Sequence, residues 1–135
     1  MIDLHLHSTA SDGSEAPADV VRMAANLGLS AIALTDHDTL SGIPEAVTEA
    51  SLRAIELIPG IELSVKWDRG AMHLIVLFLQ PGDGPLQRRL GELRRGRNLR
   101  NALIIERLTE IGLPVLEEEV LGLAGGESVG RPHIA

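Results

Sequence analysis

The 135 residues contain no cysteine and no tyrosine, and their aromatic content is one tryptophan, Trp67, and one phenylalanine, Phe78. Without cysteine there is no disulfide framework, no thiol nucleophile and no zinc-thiolate site, so any metal has to sit on His, Asp and Glu. Two aromatic rings leave little capacity for stacking on bases, which disfavours long single-stranded nucleic acid as a ligand. No Gly-x-Ser-x-Gly motif is present, and with it goes the nucleophile elbow of the serine hydrolases. Long apolar runs are missing too. Leu74 to Leu79 is among the longest, far short of a membrane span. The first fifteen residues show no basic stretch followed by an apolar one, so no signal peptide is expected and the reading is a cytoplasmic protein.

What is present suits one soluble globular domain: 44% hydrophobic residues, 23% charged residues and a formal net charge of −7. The charge is uneven. Residues 1–62 carry ten acids against Arg22 and Arg53, whereas residues 86–107 carry seven arginines against Glu92 and Glu106. A solvated helix face accounts for such a basic segment, and charge alone favours that account. The sharper account is an acidic metal site followed by an anion-attracting patch.

The pattern along the chain alternates. Met1 to Leu6 reads as a strand and residues 7–15 as a loop. Pro17 opens a helix to about Leu27, with Gly28 past its end. Leu29 to Leu34 is a second strand, apolar enough to be buried on both faces of a parallel sheet. A polar loop, Thr35 to Thr39, precedes a helix from Ser41 to about Arg53. Ile55 to Ile58 and Ile61 to Val65 are expected as strands broken by Pro59-Gly60, and Met72 to Leu79 as another. This β-α-β-α-β-β order implies an α/β fold with a parallel sheet or barrel. A long helix is expected from Leu86 to about Ile111 and a short one over Leu116 to Leu123, with a loop at 125–128 and a further helix starting at Arg131-Pro132. A full (β/α) barrel needs about 200 residues or more, so the chain is expected to be the N-terminal part of a longer protein.

Four of the five histidines, and several acids, cluster at strand ends. His5 and His7 are two apart on the first strand, so both rings fall on one face about 7 Å apart at Cα. Asp3 shares that face and could accept a hydrogen bond from His5. Asp12-Gly13 follows in a tight loop. Asp36-His37-Asp38 stands directly after the second strand, where parallel α/β folds build their sites. Helix capping by Asp38 or Thr39 is the simple alternative there, but it leaves His37 unexplained. Glu62 lies in an otherwise apolar strand, where an unpaired carboxylate is costly, and a metal ion or an ion pair would satisfy it. His73 sits between Met72 and Leu74. Together His5, His7, Asp12, His37, Glu62 and His73 exceed the needs of one tetrahedral zinc, and a centre of two or three metals is the economical reading.

The segments Asp3-Leu4-His5-Leu6-His7-Ser8, Ser11-Asp12-Gly13, Thr35-Asp36-His37-Asp38, Pro59-Gly60-Ile61-Glu62 and His73 occur in an order that resembles the PHP (polymerase and histidinol phosphatase) domain. With Gly130-Arg131-Pro132-His133, the spacing is more similar to the stand-alone PHP phosphoesterases, which hydrolyse 3′,5′-nucleoside bisphosphates and trim short RNA from the 5′ end. The resemblance implies the N-terminal part of a distorted (β/α)7 barrel over residues 1–85, followed by a small, mostly helical insertion over 86–135. It implies a cluster of two or three divalent ions, manganese, iron or zinc. His5 and His7 would hold one metal, Asp12 and His37 a second and His73 a third, with Glu62 bridging. Asp38 would be an acid behind the ligands or facing the substrate. Arg131 and His133 would contact nucleotide or phosphate. The family's Ala-His-Pro-like histidine and its Asp-x-His pair do not occur in these 135 residues.

The implied chemistry is hydrolysis of a phosphate ester by water made acidic by the metals, with in-line attack on phosphorus. Arginine suits a second phosphate because its planar fork grips two oxygens, and Arg131 with one or two of Arg94, Arg97 and Arg100 is the expected clamp. The expected partner is a small nucleotide, with short RNA as a second substrate class. No membrane and no obligate protein partner are indicated. The alternatives are a histidinol-phosphate phosphatase or other PHP hydrolase, and a PHP module that binds metal or nucleic acid without turnover.

Overall fold

The computed structural model describes residues 1–82, 84–124 and 134. Its elements are β1 (Ile2–Leu6), α1 (Pro17–Asn26), β2 (Ala31–Leu34), α2 (Ile43–Arg53), β3 (Glu56–Trp67), β4 (Gly70–Leu77), α3 (Pro85–Glu110) and α4 (Glu117–Ala124). The strands form one sheet in the order β1-β2-β3-β4, curled into a half-barrel. β1, β2 and β3 run parallel, and β4 returns antiparallel to β3. Helices α1 and α2 form the two crossovers between the parallel strands and pack on each other.

The core follows from the pattern. All four residues of β2 are buried, as the unbroken apolar run Ala31 to Leu34 requires. Val21 and Ala24 of α1 meet Ile32 and Leu34 of β2, Ile43, Ala46 and Ala50 of α2, and Ile61 of β3 in one cluster. Leu90 joins the same cluster, so the first half of α3 packs on the sheet. Farther along α3, Ile105 packs with Val115 and Val120 in a second, small cluster at α4.

The expected break at Pro59-Gly60 does not occur, and β3 runs through it for twelve residues. The dipeptide marks a change of partner instead. Residues 56–59 pair with β2, whereas residues 60–67 pair with β4. Pro59 ends the first ladder, where its missing N–H is tolerated, and its carbonyl accepts from Leu79. Gly60 is needed for close approach, because a Cβ there would lie 2.9 Å from both Leu77 Cδ2 and Thr35 Cγ2. α2 also starts later than expected, at Ile43, and Gly42 at its N-cap makes no side-chain cap. Neither Asp38 nor Thr39 caps it. Both serve contacts described below.

Candidate metal centre

The ligand set is assembled at the carboxyl ends of β1 and β2 and on the β3–β4 hairpin. In β1 the register slips by one residue between Asp3 and Leu6, the stretch that contains His5, and His7 follows just past the strand. The rings of His5 and His7 have centroids 5.1 Å apart. His37 follows β2 and packs 4.8 Å from His7 and 4.9 Å from His73 of β4. Glu62 lies among all four rings. Its Oε2 is 2.7 Å from His5 Nε2, 3.0 Å from His7 Nε2 and 3.9 Å from His37 Nε2, and its Oε1 is 2.6 Å from His73 Nδ1. Asp12 comes from the loop after β1, with Oδ1 3.5 Å from His7 Nδ1 and Oδ2 3.6 Å from His37 Nε2.

All six residues singled out in the sequence are therefore brought together. They form three overlapping groups, His5-His7-Glu62, His7-Asp12-His37 and His37-Glu62-His73, with the ligand atoms of each within 4.8 Å of one another. Each pair of groups shares one residue: His7, His37 or Glu62.

The chemistry of this set fits divalent cations. His5 Nε2 and His7 Nε2 approach to 3.1 Å and both face the same carboxylate oxygen. Nε2 of His37 is too far from either carboxylate for a hydrogen bond, and its Nδ1 is buried with no partner among the described residues. Burial lowers the pKa of His37, helped by the nearby charges of His7 and Arg97 and opposed by Asp12 and Glu62. A neutral imidazole with a lone pair to offer is what a metal requires. For Glu62 burial acts upward, but hydrogen bonds from His5 and His73 and the fields of His37 and His7 outweigh it. They hold the carboxyl below its usual range.

A buried polar layer supports these ligands. Asp36 is 2% exposed and accepts hydrogen bonds from Ser8 N–H at 2.7 Å, Ser8 Oγ at 2.8 Å and Ser11 Oγ at 2.7 Å. It thereby folds the loop carrying Asp12 back over the strand ends. Burial raises the pKa of Asp36 against the pull of those bonds. The sequence flags Asp36 as part of a polar triplet, but Ser8 and Ser11 carry no signal beyond their place in the motif.

The other expected contacts divide. Asp3 accepts from the backbone N–H of His5 at 3.2 Å, so it does not orient the His5 ring. Asp38, 1% exposed, binds Arg97 through Oδ2 and accepts from Ser64 N–H at 2.8 Å through Oδ1. Ser64 was not anticipated. Its signal is the period of two from Glu62, which sets both on one face of β3. Arg94 donates to Thr39 Oγ1 at 3.3 Å and lines a cleft of about 350 Å³ with Thr39, Ser41, Gln87 and Leu90. Arg100 donates to Asn101 Oδ1 at 3.4 Å. Arg131 and His133, with the loop at 125–128 and the helix start at 131–132, lie outside the described residues.

The chain is similar to known proteins along most of its length. Residues 3–88 match the PHP domain. The chain is 38% identical over 135 residues to the 5′-3′ exoribonuclease Rnm of Salmonella typhimurium, covering 98% of this chain and 46% of that protein. It is 37% identical over 142 residues to the 3′,5′-nucleoside bisphosphate phosphatase of Chromobacterium violaceum, covering 99% and 47%. A solved amidohydrolase from Chromobacterium violaceum with bound sulfate superposes with a TM-score of 0.92 at 34% identity, covering 98% of this chain and 47% of that one. The chain thus spans about half the length of the relatives it matches. With its ligand motifs gathered at one end of a half-barrel, and with this match over most of its length, the chain belongs to the PHP domain family.

Proposed function

We propose that the chain carries the N-terminal metal site of a phosphoesterase that removes a phosphate from a nucleotide, with a 3′,5′-nucleoside bisphosphate as the favoured substrate and short RNA 5′ ends as a second class. The carrying observation is the set of three overlapping ligand groups joined through His7, His37 and Glu62. On this reading His5, His7, Asp12, His37, Glu62 and His73 hold two or three divalent ions, manganese, iron or zinc. Bound there, the ions would supply Lewis-acid activation of water and neutralise phosphoryl oxygens. Glu62, kept anionic by its histidine neighbours, belongs to two of the three groups, with Oε2 toward His5 and His7 and Oε1 toward His73, and supplies negative charge to balance a cation.

The second phosphate needs a cationic grip outside the metal site. Arg94, facing its cleft across from Thr39 and Ser41, and Arg100, two turns of α3 further on, are the described candidates, with Arg131 and His133 the candidates outside the described residues. With Trp67 and Phe78 as its whole aromatic content the chain has little surface for a run of bases to stack on, which favours mononucleotides or short oligomers. No helix among the described residues is long and apolar enough to cross a membrane.

The test is phosphate release from adenosine 3′,5′-bisphosphate with added Mn²⁺. It would compare this chain with a chimera completed by the remaining half of the Chromobacterium violaceum phosphatase, beside histidinol phosphate and adenosine 5′-monophosphate as competing substrates. Release by the chimera with preference for the bisphosphate supports the reading. Preference for histidinol phosphate would assign the other phosphatase, and metal uptake without turnover would assign a binding module.

A further inference from the structure

Helix α3 carries many arginines, and most behave as surface charges: Arg89 and Arg107, each 75% exposed at the side chain, pair with Glu92 and Glu110 one turn away. Arg97 differs. Leu90, Arg94, Arg97 and Asn101 follow one another at helical spacing on a single stripe, and both Leu90 and Asn101 are buried. The Arg97 side chain is 11% exposed. Its Nη2 meets Asp38 Oδ2 and also donates to Ser64 Oγ at 2.7 Å. Asp38 has no oxygen left over, because its Oδ1 already accepts from Ser64 N–H.

The positions of these partners give the contact its meaning. Asp38 follows His37, takes a left-handed backbone (φ 54°) and donates its own N–H to Glu62 O at 3.1 Å. Ser64 is two residues beyond Glu62 on β3. One guanidinium therefore holds both segments that present the central ligands, the loop after β2 and the strand β3, and fastens a third element to them. We propose that Arg97 is a positioning residue and not a phosphate ligand: through Asp38 and Ser64 it seats α3, and with it Arg94 and Arg100 about one turn to either side, against the His37 and Glu62 segments. The proposal rests on the phosphoesterase reading for what α3 grips.

Three arguments favour positioning over direct contact. Turning Arg97 toward a phosphate would abandon Asp38, a carboxylate 1% exposed, and leave it buried without its cation. The same nitrogen, Nη2, serves both Asp38 and Ser64, so both of its N–H groups are already committed within the protein. A helix is stiff along its axis, and residues three apart are about 4.5 Å apart along it, so fixing Arg97 fixes Arg94 and Arg100 as well.

The experiment measures KM for adenosine 3′,5′-bisphosphate in the Mn²⁺-loaded chimera described above, carrying the unsubstituted sequence, Arg97→Met, Asp38→Asn or both. Hydrogen exchange would be followed over residues 90–101 in the same samples. Positioning requires both single variants to weaken binding by similar factors, about tenfold or more. The double variant should be no weaker than the worse single, and protection in α3 should fall in all three. If Arg97→Met weakens binding while Asp38→Asn does not, with α3 protection unchanged, Arg97 touches phosphate and the proposal is overturned. Additive losses overturn it as well. If Arg97→Met does not fold, Arg97→Lys should show the same pattern at intermediate strength, and weaker binding in that variant with α3 protection unchanged would overturn the proposal. Absence of bisphosphate turnover by the unsubstituted chimera would sink the phosphoesterase reading, and the exchange data would still judge the pair: protection lost in both singles keeps it, protection retained removes it.

Discussion

His37 and Glu62 face each other as an isolated parallel bridge beyond the point where β2 has ended. Glu62 N–H donates to Asp36 O at 3.3 Å and Asp38 N–H donates to Glu62 O at 3.1 Å, so the polar loop after β2 continues beside β3 as though the strand had not stopped. A bridge pair presents its side chains a strand spacing apart, about 4.8 Å. That is why a ring from one segment and a carboxylate from the next occur together in one ligand group, and why the spacing is set by backbone rather than by flexible side chains.

Glu62→Gln tests the centre most directly. The carboxylate belongs to two of the three ligand groups, so its loss should lower Mn²⁺ affinity by roughly 100-fold, at least the upper range seen when an outer partner of a ligand is removed. Equilibrium dialysis with metal analysis would measure it. A change below threefold would place the metal elsewhere.

Metal should also stabilise the fold. At a free Mn²⁺ concentration of 100 times its dissociation constant, linkage supplies about 2.7 kcal/mol. For a chain of this size that corresponds to a rise of about 10 °C in Tm, followed by circular dichroism and reversed by a chelator. An unchanged Tm under saturating metal would contradict a site built from native geometry.

Gly13→Ala should damage the site without touching a ligand. A Cβ at residue 13 would fall 2.5 Å from His7 O and 2.8 Å from Ser8 Cα, both backbone atoms that cannot step aside cheaply. The Asp12 loop must then move off the strand end. We expect metal affinity to fall by about tenfold, with overpacking costing about 1–3 kcal/mol in denaturant unfolding. Full retention of metal affinity would show that Asp12 is not a ligand.

Asp36→Ala separates support from ligation. Removal of this buried carboxylate strands the three donors from Ser8 and Ser11, and each unsatisfied donor costs about 1–3 kcal/mol. Urea unfolding of the metal-free chain should show a loss of about 3 kcal/mol or more, whereas Ser11→Ala, which removes one donor, should cost about 1 kcal/mol. Equal losses for the two variants would argue against the three-bond network.

Arg100→Met should distinguish a bisphosphate from a monophosphate in the completed enzyme. A charged hydrogen bond to phosphate is worth about 1.5–3 kcal/mol, so KM for adenosine 3′,5′-bisphosphate should rise about tenfold or more. KM for a monophosphate should change much less. Parallel increases for both substrates would remove Arg100 from the second-phosphate grip.

The local order of elements could be read along the chain because it rests on local rules. Pro17 at the first turn of α1, the apolar run of β2 and the alternation around His5 each act within a few residues. The candidate ligands were legible for a related reason: a His-x-His spacing at the end of β1, and polar residues where β2 ends, are statements about neighbours in sequence. The motifs that carry the family resemblance are made of those same residues.

What the sequence by itself determined is therefore which residues could bind metal and which element each would ride on. Tertiary structure alone decided how they meet. Pro59-Gly60 looked like a break and became a handover from β2 to β4, because the pairing partners come from segments far apart in sequence. From sequence Asp38 was open between a helix cap, an acid behind the ligands and one facing the substrate, and its partner is Arg97, 59 residues away. Burial makes the difference: a carboxylate excluded from water must find its partners wherever the packing brings them, and packing is set by the whole fold.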